Sequence, residues 1–328
     1  MKKQELIKYW KSKYNLDSKT INQVLEFVLN IEKKDLFILD TIEEKHLKKI
    51  KNIFKKLSIW YPFAYITKKI NFMWYDFYVD RNVLIPRDDT EILVREAIRY
   101  IENEIQKNIK HLSSWEVTKD PFKNAKAQIQ RLRDSSNKFS EWQNFMNISN
   151  FNSEIVLLDI WTWSWIIPIS IAKNTNLENI ISLDISNKAI KVTKKNIKQH
   201  NLQEAIKTIN KDFKDFDFKK LYWNNLIITA NLPYIKEKDF KNMDFWVYTY
   251  EPEIALYWWK NTGFEIYEEL INIILKEKDN FKTIILFIEI WFDQYEISKD
   301  YLISKWLKFE FFKDTNNIYR TIKINLKN

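Results

Sequence analysis

The sequence predicts an α/β protein built on a parallel sheet that helices cover on both faces. In the second half of the chain, short apolar stretches alternate with segments whose apolar residues recur at helical spacing. The apolar stretches are nearly continuous runs of Ile, Leu and Val, which is typical of strands buried on both faces. The chain has 328 residues, 45% of them hydrophobic, and this length allows about two domains. We therefore expect this sheet together with a second, smaller unit.

Residues 1–64 predict a helical bundle. Two sets of apolar residues recur at helical spacing, and a third helix is expected over residues 43–57, with lysines on its outer face. Asp17 or Ser18 can cap the second helix. The two apolar sets are Leu6, Ile7 and Trp10, and then Ile21, Val24, Leu25 and Val28.

A change of period marks the next segment. Residues 65–86 alternate with a period of two among β-branched and aromatic side chains, which predicts a β-hairpin linker. Residues 90–100 then have the spacing of an amphipathic helix. Residues 103–153 are polar, and we interpret them as an insertion, partly helical or disordered, in a domain that covers residues 87–328.

Four apolar runs predict the central strands of the larger domain. Segments between them, such as residues 188–200 and 264–275, have helical spacing, so the connections are crossovers and the sheet is parallel. Residues 309–312 and 319–324 offer two closing strands. The four central runs are Ile155–Ile160, Ile180–Asp184, residues 226–230 and Thr283–Glu289.

The composition argues against several kinds of site. Cysteine is absent, which excludes disulfides and thiolate metal sites, and the three histidines lie far apart in the sequence, so no metal is expected. No apolar run approaches the ~20 residues of a membrane span, and the start of the chain lacks the apolar segment of a signal peptide. We expect a cytoplasmic protein. The net charge of +9 favours an acidic partner such as RNA, but lysine-rich drift in an AT-rich gene is the preferred explanation.

Glycine and tryptophan occur in unusual numbers. The chain has one glycine, where about 23 are usual for this length, and it has 14 tryptophans. A globular α/β protein needs positive-φ turns and close backbone approaches, which only glycine allows at low cost. The stretch LLDIWTWSW carries three tryptophans directly after the first predicted strand, where the ligand-binding turn of such a sheet normally has glycine.

With glycine in place of these tryptophans, the turn predicts a nucleotide-type cofactor site. Backbone amides after Ile160 can approach a ligand only where no Cβ intervenes. Asp184 ends the second predicted strand, where an acid commonly accepts hydrogen bonds from both ribose hydroxyls. Asp212 is expected near an adenine, with Phe213 beside the ring. A single Asp after a strand is equally often a helix cap, but these features in order favour a cofactor. The candidate cofactor-binding residues are Asp159, Trp161, Thr162, Trp163, Ser164, Trp165, Asp184, Asp212, Phe213 and Asn231.

The stretch ITANLPYIKE predicts the chemistry. Asn-x-Pro-Tyr at the end of a strand is typical of enzymes that methylate planar, conjugated nitrogens. Because the lone pair of such a nitrogen is delocalised, orientation and desolvation carry most of the catalysis. We expect the Asn231 side-chain oxygen and the Leu232 carbonyl to accept both N–H bonds, while Pro233 fixes the backbone and Tyr234 packs against the flat group. These four residues are the candidate catalytic residues, although the stretch alone fits an ordinary Asn-Pro turn equally well.

Three motifs together resemble the HemK/PrmC family of methyltransferases, which modify the glutamine of class I peptide chain release factors. VLIPRDDTEILV resembles the family's LIPRPDTE signature, with Asp88 where proline is usual. YEPEIAL, at residues 250–256, resembles its EP-x-x-AL loop. NLPYI resembles its NPPYI, with Leu232 in place of the first proline. The resemblance covers nearly the whole chain outside residues 103–153.

The resemblance implies a seven-stranded, Rossmann-like class I S-adenosylmethionine-dependent methyltransferase domain whose last strand is antiparallel. It implies that the helical bundle helps to dock a class I release factor, in proximity to the ribosome. S-adenosylmethionine would then donate a methyl group to the side-chain amide nitrogen of the glutamine in the Gly-Gly-Gln motif, with no metal and no membrane involved. Arg87 could equally pair with Glu91 one helical turn later. The implied substrate-binding residues are Asn231, Leu232, Pro233, Tyr234, Arg87 and Glu251.

Most of the tryptophans fall where the family has glycine. We hypothesise that UGA encodes glycine in the source gene and that the printed sequence shows it as tryptophan. The alternative is literal tryptophan, whose indoles would fill the cofactor site and strain the backbone. The matching positions are Trp60, Trp74, Trp161, Trp163, Trp165, Trp258, Trp259, Trp291 and Trp306, with Trp223 a weaker match, whereas Trp10, Trp115, Trp142 and Trp246 match no family glycine.

Two other functions stay open at this point. Asn-Leu-Pro-Tyr also occurs in enzymes that dimethylate ribosomal RNA adenines, and the positive charge suits RNA. A nucleic-acid adenine amino-methyltransferase is therefore one alternative, although such enzymes lack the LIPR signature and the helical bundle. If the tryptophans are literal, the second alternative is a non-catalytic binding protein whose cofactor pocket is plugged by indoles.

Overall fold

The computed structural model describes residues 2–117, 154–161, 166–236, 239, 243–256 and 262–327, with side chains described to residue 107 in the first range. Most of the predicted insertion at 103–153 lies outside this part of the chain. The same holds for several residues of the sequence-based predictions. These are Trp142, Thr162, Trp163, Ser164, Trp165, Trp258 and Trp259.

Helices make up the N-terminal part of the structure. The described helices are α1 (Lys3–Tyr14), α2 (Ser18–Leu29), α3 (Lys33–Ile38), α4 (Glu44–Leu57) and α5 (Phe63–Thr67). The apolar residues that recur at helical spacing pack into one core, in which Trp10, Ile21 and Leu25 are fully buried. Asp17 caps α2, because its carboxylate accepts a hydrogen bond from the Thr20 amide at 2.8 Å. The predicted start of the second helix is therefore confirmed.

The β-hairpin that follows is shorter than predicted for residues 65–86. It consists of β1 (Lys69–Phe72) and β2 (Tyr75–Tyr78), which pair antiparallel. Tyr65 belongs to α5, and its buried hydroxyl donates a hydrogen bond to the Val83 carbonyl oxygen at 2.6 Å. This bond holds the residues after β2 against the helix, so they do not extend the strand.

The helix predicted over residues 90–100 is only the beginning of α6 (Thr90–Val117). Ion pairs one helical turn apart continue past residue 100 and stabilise the longer helix. These pairs are Glu91–Arg95, Glu96–Arg99 and Glu104–Lys107. The predicted insertion at 103–153 therefore begins within α6, and the polar residues at its start lie on an exposed face of this helix.

A seven-stranded sheet confirms the predicted α/β fold. In spatial order the strands are β5, β4, β3, β6, β7, β9 and β8. From β5 to β7 all neighbours pair parallel, whereas β9 is antiparallel to both β7 and β8. The last strand is thus antiparallel, as predicted, but β5 was not predicted. The bounds are β3 (Ile155–Ile160), β4 (Ile180–Asp184), β5 (Ile206–Asn210), β6 (Asn225–Ala230), β7 (Thr283–Glu289), β8 (Lys308–Lys313) and β9 (Tyr319–Asn325).

Apolar cores lie on both faces of this sheet. Alternate residues of β3 enter two different clusters, Val156 and Leu158 on one face and Ile155 and Leu157 on the other. Helices that follow the central strands supply most of the remaining apolar side chains. They are α7 (Ile166–Thr175), α8 (Asn187–Gln199), α9 (Phe245–Tyr250), α10 (Glu265–Glu277) and α11 (Tyr295–Ser304). Within the described residues, no helix is long and apolar enough to cross a membrane.

Five tryptophans adopt the left-handed backbone conformation that favours glycine. A Cβ atom in this region costs roughly 1–2 kcal/mol per residue. Trp74 is the second residue of the two-residue turn between β1 and β2, where both residues have positive φ, as in a type I′ turn with Asn-Gly. Trp306 directly follows the C-cap residue of α11, which is the usual position of glycine. The φ angles are 62° at Trp60, 71° at Trp74, 61° at Trp161, 68° at Trp223 and 56° at Trp306.

All five of these residues are among the positions at which the family resemblance predicts glycine, which supports the hypothesis of UGA-encoded glycine. Trp10, for which no family glycine was found, is different. It lies within α1, is fully buried, and its ring is 5.1 Å from the ring of Phe54. Trp246 also lies within a helix, 5.0 Å from the Arg87 guanidinium. The backbone thus distinguishes these five positions from Trp10 and Trp246, whereas Trp291, which also matches a family glycine, does not have a positive φ.

We predict that Trp74→Gly and Trp306→Gly each raise the free energy of unfolding by about 1 kcal/mol, because each removes a Cβ from a positive-φ position. Both side chains are exposed, 89% and 88%, so little packing is lost. Urea unfolding of the two variants measures the change. The control is Trp10→Gly, which should lower the free energy of unfolding by about 3–5 kcal/mol. A loss of stability in the two exposed variants would argue for literal tryptophan.

Candidate active site

The carboxyl ends of the three central strands meet at one level of the sheet. Ile160 of β3 pairs with Ala230 of β6, and Ala230 pairs with Ile288 of β7. The register therefore places three neighbouring positions side by side at this edge. They are Trp161, Asn231 and Glu289.

Asp159 and Trp161 are the described residues of the predicted cofactor turn. Asp159 is fully buried and accepts a hydrogen bond from the Thr229 hydroxyl at 2.6 Å, which joins β3 to β6. Trp161 has positive φ, and its amide donates to the Leu183 carbonyl oxygen at 2.9 Å. Its indole is buried, with the ring centroid 6.4 Å from that of Phe213. The indole thus packs beside Phe213, the residue that the sequence predicts to flank an adenine.

Asp184 and the residues after β5 form the next part of this edge. Asp184 is buried at the end of β4, and its Oδ1 accepts a hydrogen bond from the Ser186 amide at 2.7 Å. Its carbonyl oxygen accepts a bond from the Lys211 amide at 3.0 Å, which brings Asp212 and Phe213 alongside. Asp212 is half-buried, and its carboxylate caps a short 3₁₀ helix by accepting a hydrogen bond from the Lys214 amide. Of the predicted cofactor residues that the structure describes, Asp159, Trp161, Asp184 and Phe213 therefore lie at one edge, and Asp212 also has a capping role.

The NLPY loop, residues 231–234, follows β6. The Asn231 side-chain nitrogen donates to Glu289 Oε2 at 2.9 Å, and the Tyr234 hydroxyl donates to Glu289 Oε1 at 2.9 Å. The Leu232 amide donates to the Tyr267 hydroxyl at 2.9 Å, and that hydroxyl donates to the Glu289 carbonyl oxygen at 2.5 Å. The loop is thus anchored at three points to the end of β7.

Glu289 is the residue of this site that the sequence analysis missed. It was noted only as the last residue of a predicted strand, and a buried acid at that position was the signal that could have identified it. Its exposed fraction is 2%. Burial raises the pKa of its carboxyl group, while the Thr90 and Tyr234 hydroxyls oppose that shift. Burial also raises the pKa of Tyr234 well above its usual value, so Tyr234 remains a neutral donor.

The single glycine of the chain packs against the NLPY loop. Gly263 has a φ of 72°, and a Cβ atom at this position would overlap the Tyr234 carbonyl oxygen. Both the backbone conformation and the space exclude a larger residue. The loop is therefore confined from this side as well.

Arg87 pairs with Glu251, which corrects the sequence-based alternative of a pair with Glu91. Arg87 Nη1 and Nη2 donate to the two carboxylate oxygens of Glu251 at 3.0 and 2.7 Å. The Ile85 amide donates to the same carboxylate at 3.1 Å. Glu91 pairs instead with Arg95 at 2.8 Å. Burial raises the pKa of the Glu251 carboxyl group, and the adjacent Arg87 guanidinium opposes the shift. The LIPR stretch and the EP-x-x-AL loop are therefore held together by a bidentate pair.

A cleft of about 570 Å³ opens between these motifs. It is lined by polar, aromatic and aliphatic groups from the LIPR stretch, from the NLPY loop, from residues 243–256 and from the residues after β7. Trp291 stacks on Tyr234, with ring centroids 5.5 Å apart and ring planes at 27°. The lining residues include Arg87, Asn231, Leu232, Pro233, Tyr234 and Trp291. Among the described residues, no cluster of His, Asp or Glu could hold a metal ion.

Comparison with known proteins adds a family context to this geometry. A release factor glutamine methyltransferase of Mycoplasma mycoides is 29% identical over 94% of this chain and 93% of its own length. The chain is a homologue of the release factor glutamine methyltransferases. A second such enzyme, from Clostridium acetobutylicum, is 29% identical over 77% of this chain and 72% of its own length. A ribosomal protein uL3 glutamine methyltransferase of Francisella tularensis is 27% identical over 78% of this chain and 64% of its own length. No protein-family model matches the chain.

We predict that Arg87→Met lowers the free energy of unfolding by about 3 kcal/mol, because the Glu251 carboxylate, whose side chain is 0% exposed, loses its cation. The matched control is Arg95→Met, whose pair with Glu91 is partly exposed and should contribute no more than about 0.5 kcal/mol. Urea unfolding at neutral pH measures both changes. Equal effects of the two substitutions would contradict the buried-pair interpretation.

Proposed function

We propose that this protein methylates the side-chain amide nitrogen of a glutamine, using S-adenosylmethionine, and that the glutamine is that of the Gly-Gly-Gln motif of class I peptide chain release factors. The observation that carries the proposal is the amide of Asn231, whose nitrogen is tied to Glu289 so that its oxygen is left to accept from a substrate. The names of relatives that align over most of this chain support the same reaction.

The residues of the cleft fit an amide substrate. A glutamine amide presents two N–H donors, and the Asn231 side-chain oxygen and the Leu232 carbonyl oxygen are the acceptors we propose for them. Pro233 directly follows these acceptors and restricts the backbone of Leu232, and the Tyr234 ring supplies a flat apolar surface for the amide plane. Holding both N–H bonds in one plane orients the nitrogen lone pair, which compensates for its low nucleophilicity. Arg87 lines the cleft, and Glu251, whose side chain is fully buried, holds Arg87 in place from behind.

The described residues also fit a nucleotide-type cofactor, provided that position 161 is glycine. Trp161 has a positive φ, and its buried indole occupies the space beside Phe213. Glycine at this position would relieve the backbone and leave that space open for the cofactor. Asp184 would hold the ribose, and Asp212 and Phe213 would flank the adenine. When bound, S-adenosylmethionine supplies an electrophilic methyl group on a sulfonium. The glutamine nitrogen would gain this methyl group as the methyl–sulfur bond breaks, with loss of one proton to solvent and release of S-adenosylhomocysteine.

Incubation with labelled S-adenosylmethionine tests the proposal. The chain with glycine at the family-glycine positions should label a class I release factor but not a release factor in which the Gly-Gly-Gln glutamine is replaced by alanine. Ribosomal RNA and ribosomal protein uL3 serve as the competing substrates. Label only in RNA would establish the adenine methyltransferase alternative. Cofactor binding by neither the tryptophan nor the glycine form would favour the non-catalytic alternative.

We predict that Asn231→Ala lowers kcat/KM for the release factor about 100-fold or more, because the substrate amide loses a fixed acceptor. The control is Asn71→Ala in the exposed hairpin, where the side-chain nitrogen donates a hydrogen bond to Asp76 Oδ1 at 3.2 Å. Steady-state kinetics with saturating cofactor measure both variants. Unchanged kcat/KM in the Asn231 variant would remove this residue from the mechanism.

A further inference from the structure

Glu289 is a buried carboxylate that forms no ion pair within 4 Å in the described part of the chain. Burying a charge without a cation is costly, and in folded proteins such groups are concentrated at functional sites. Its hydrogen bonds all come from neutral donors, namely the Asn231 amide, the Tyr234 hydroxyl and the Thr90 hydroxyl. Among the described residues, a carboxylate with no cation within 4 Å therefore lies next to the loop that we propose binds the substrate.

The chemistry of this carboxylate determines the orientation of Asn231. An ionised carboxylate only accepts hydrogen bonds, so the –NH₂ end of the Asn231 amide must face Glu289. Rotation of the amide by 180° would set its oxygen against a negatively charged oxygen. The second carboxylate oxygen fixes the Tyr234 hydroxyl in the same way, 2.9 Å away. Glu289 thus contacts both polar side chains of the NLPY loop, and it accepts the shorter of the two hydrogen bonds of the Asn231 nitrogen, whose other acceptor is the Thr90 hydroxyl at 3.4 Å.

We propose that Glu289 is a positioning residue for the methyl transfer, which keeps the Asn231 side-chain oxygen directed at the N–H group of the substrate amide. This inference rests on the proposed function. Glu289 acts through Asn231 and Tyr234 and does not itself contact the substrate. An amide-accepting site requires its acceptor to be fixed before the substrate arrives, because a rotating asparagine presents a donor as often as an acceptor.

The substitution Glu289→Gln separates positioning from structural support. Glutamine has the same shape but can present either an oxygen or an –NH₂ group to Asn231, so the amide is free to rotate. We expect kcat with the release factor to fall about 10- to 100-fold, with unchanged affinity for S-adenosylmethionine. The Tm should be equal or higher, because a buried charge is removed. A purely structural role predicts the opposite pattern, a lower Tm with an activity loss that disappears at lower temperature.

A double-mutant cycle with Asn231→Ala tests the route of the effect. If Glu289 acts through Asn231, Glu289→Gln should change kcat less than twofold in the Asn231→Ala background. Independent, multiplicative losses would overturn the proposal. The control is Glu277→Gln. The Glu277 carboxylate lies outside this site and accepts a hydrogen bond of 2.5 Å from the Tyr222 hydroxyl. This substitution should leave kcat unchanged.

The pH dependence provides a second readout. Protonation of Glu289 makes it resemble glutamine, so the ratio of wild-type to Glu289→Gln kcat should fall towards one as the pH is lowered through the raised pKa of this carboxyl group. The difference in stability should follow the same trend. Because folding raises the pKa of the Glu289 carboxyl group, the wild type gains stability as the pH falls through that pKa. The higher stability expected for the glutamine variant should therefore shrink at acid pH. Tyr234, Tyr267, Asp89 and Arg320 also face Glu289, and both proteins share them.

The two proposals fail in different ways. If the wild-type chain with restored glycines labels no release factor, the proposed function is wrong and Glu289 has no such role to play. If it labels the glutamine, and Glu289→Gln has the kcat and pH profile of the wild type, only the positioning role is wrong.

Discussion

The parallel pairing of β3, β6 and β7 is the constraint on which the rest of the structure depends. It aligns Ile160, Ala230 and Ile288 in one row, so the residues that follow them leave the sheet together. The cofactor turn, the NLPY loop and Glu289 are more than 50 residues apart in sequence, yet one backbone register brings them to a single edge. Buried apolar residues on both faces hold this register, because a slip by one residue would exchange the two faces of each strand.

Glu251 and Glu289 are both buried carboxylates, but their hydrogen-bond partners differ. Glu251 has a bidentate cation and a backbone donor, so its burial is largely compensated and it ties two loops together. Glu289 has neutral donors only, and burial raises the pKa of its carboxyl group. The first arrangement serves the fold, since it joins segments 164 residues apart. The burial of Glu289 costs stability, and buried ionisable groups of this kind are concentrated at functional sites.

The sequence was sufficient to predict the strands that are buried on both faces. Ile155–Ile160, Ile180–Asp184 and Thr283–Glu289 have the predicted bounds, because unbroken apolar runs of this length fit little else. The strand β5 was missed because it lies at the sheet edge and alternates exposed polar residues such as Lys207 with apolar ones. The partner of Arg87 could not be predicted either. Local spacing offers Glu91, whereas the contact with Glu251 depends on the tertiary path of the whole domain.

At several tryptophans the surrounding turn or helix end sets the backbone conformation, whatever the side chain is. At Trp74 and Trp306 the left-handed conformation follows from a two-residue hairpin turn and from a helix end, both fixed by the hydrogen bonds around them. A residue placed there must accept a positive φ, and glycine does so without strain. At Trp161 the same conformation coincides with a buried indole against Phe213, so the residue that suits the turn is also the one that would open the cofactor site. Backbone strain and pocket access therefore favour the same residue type at position 161, for independent physical reasons.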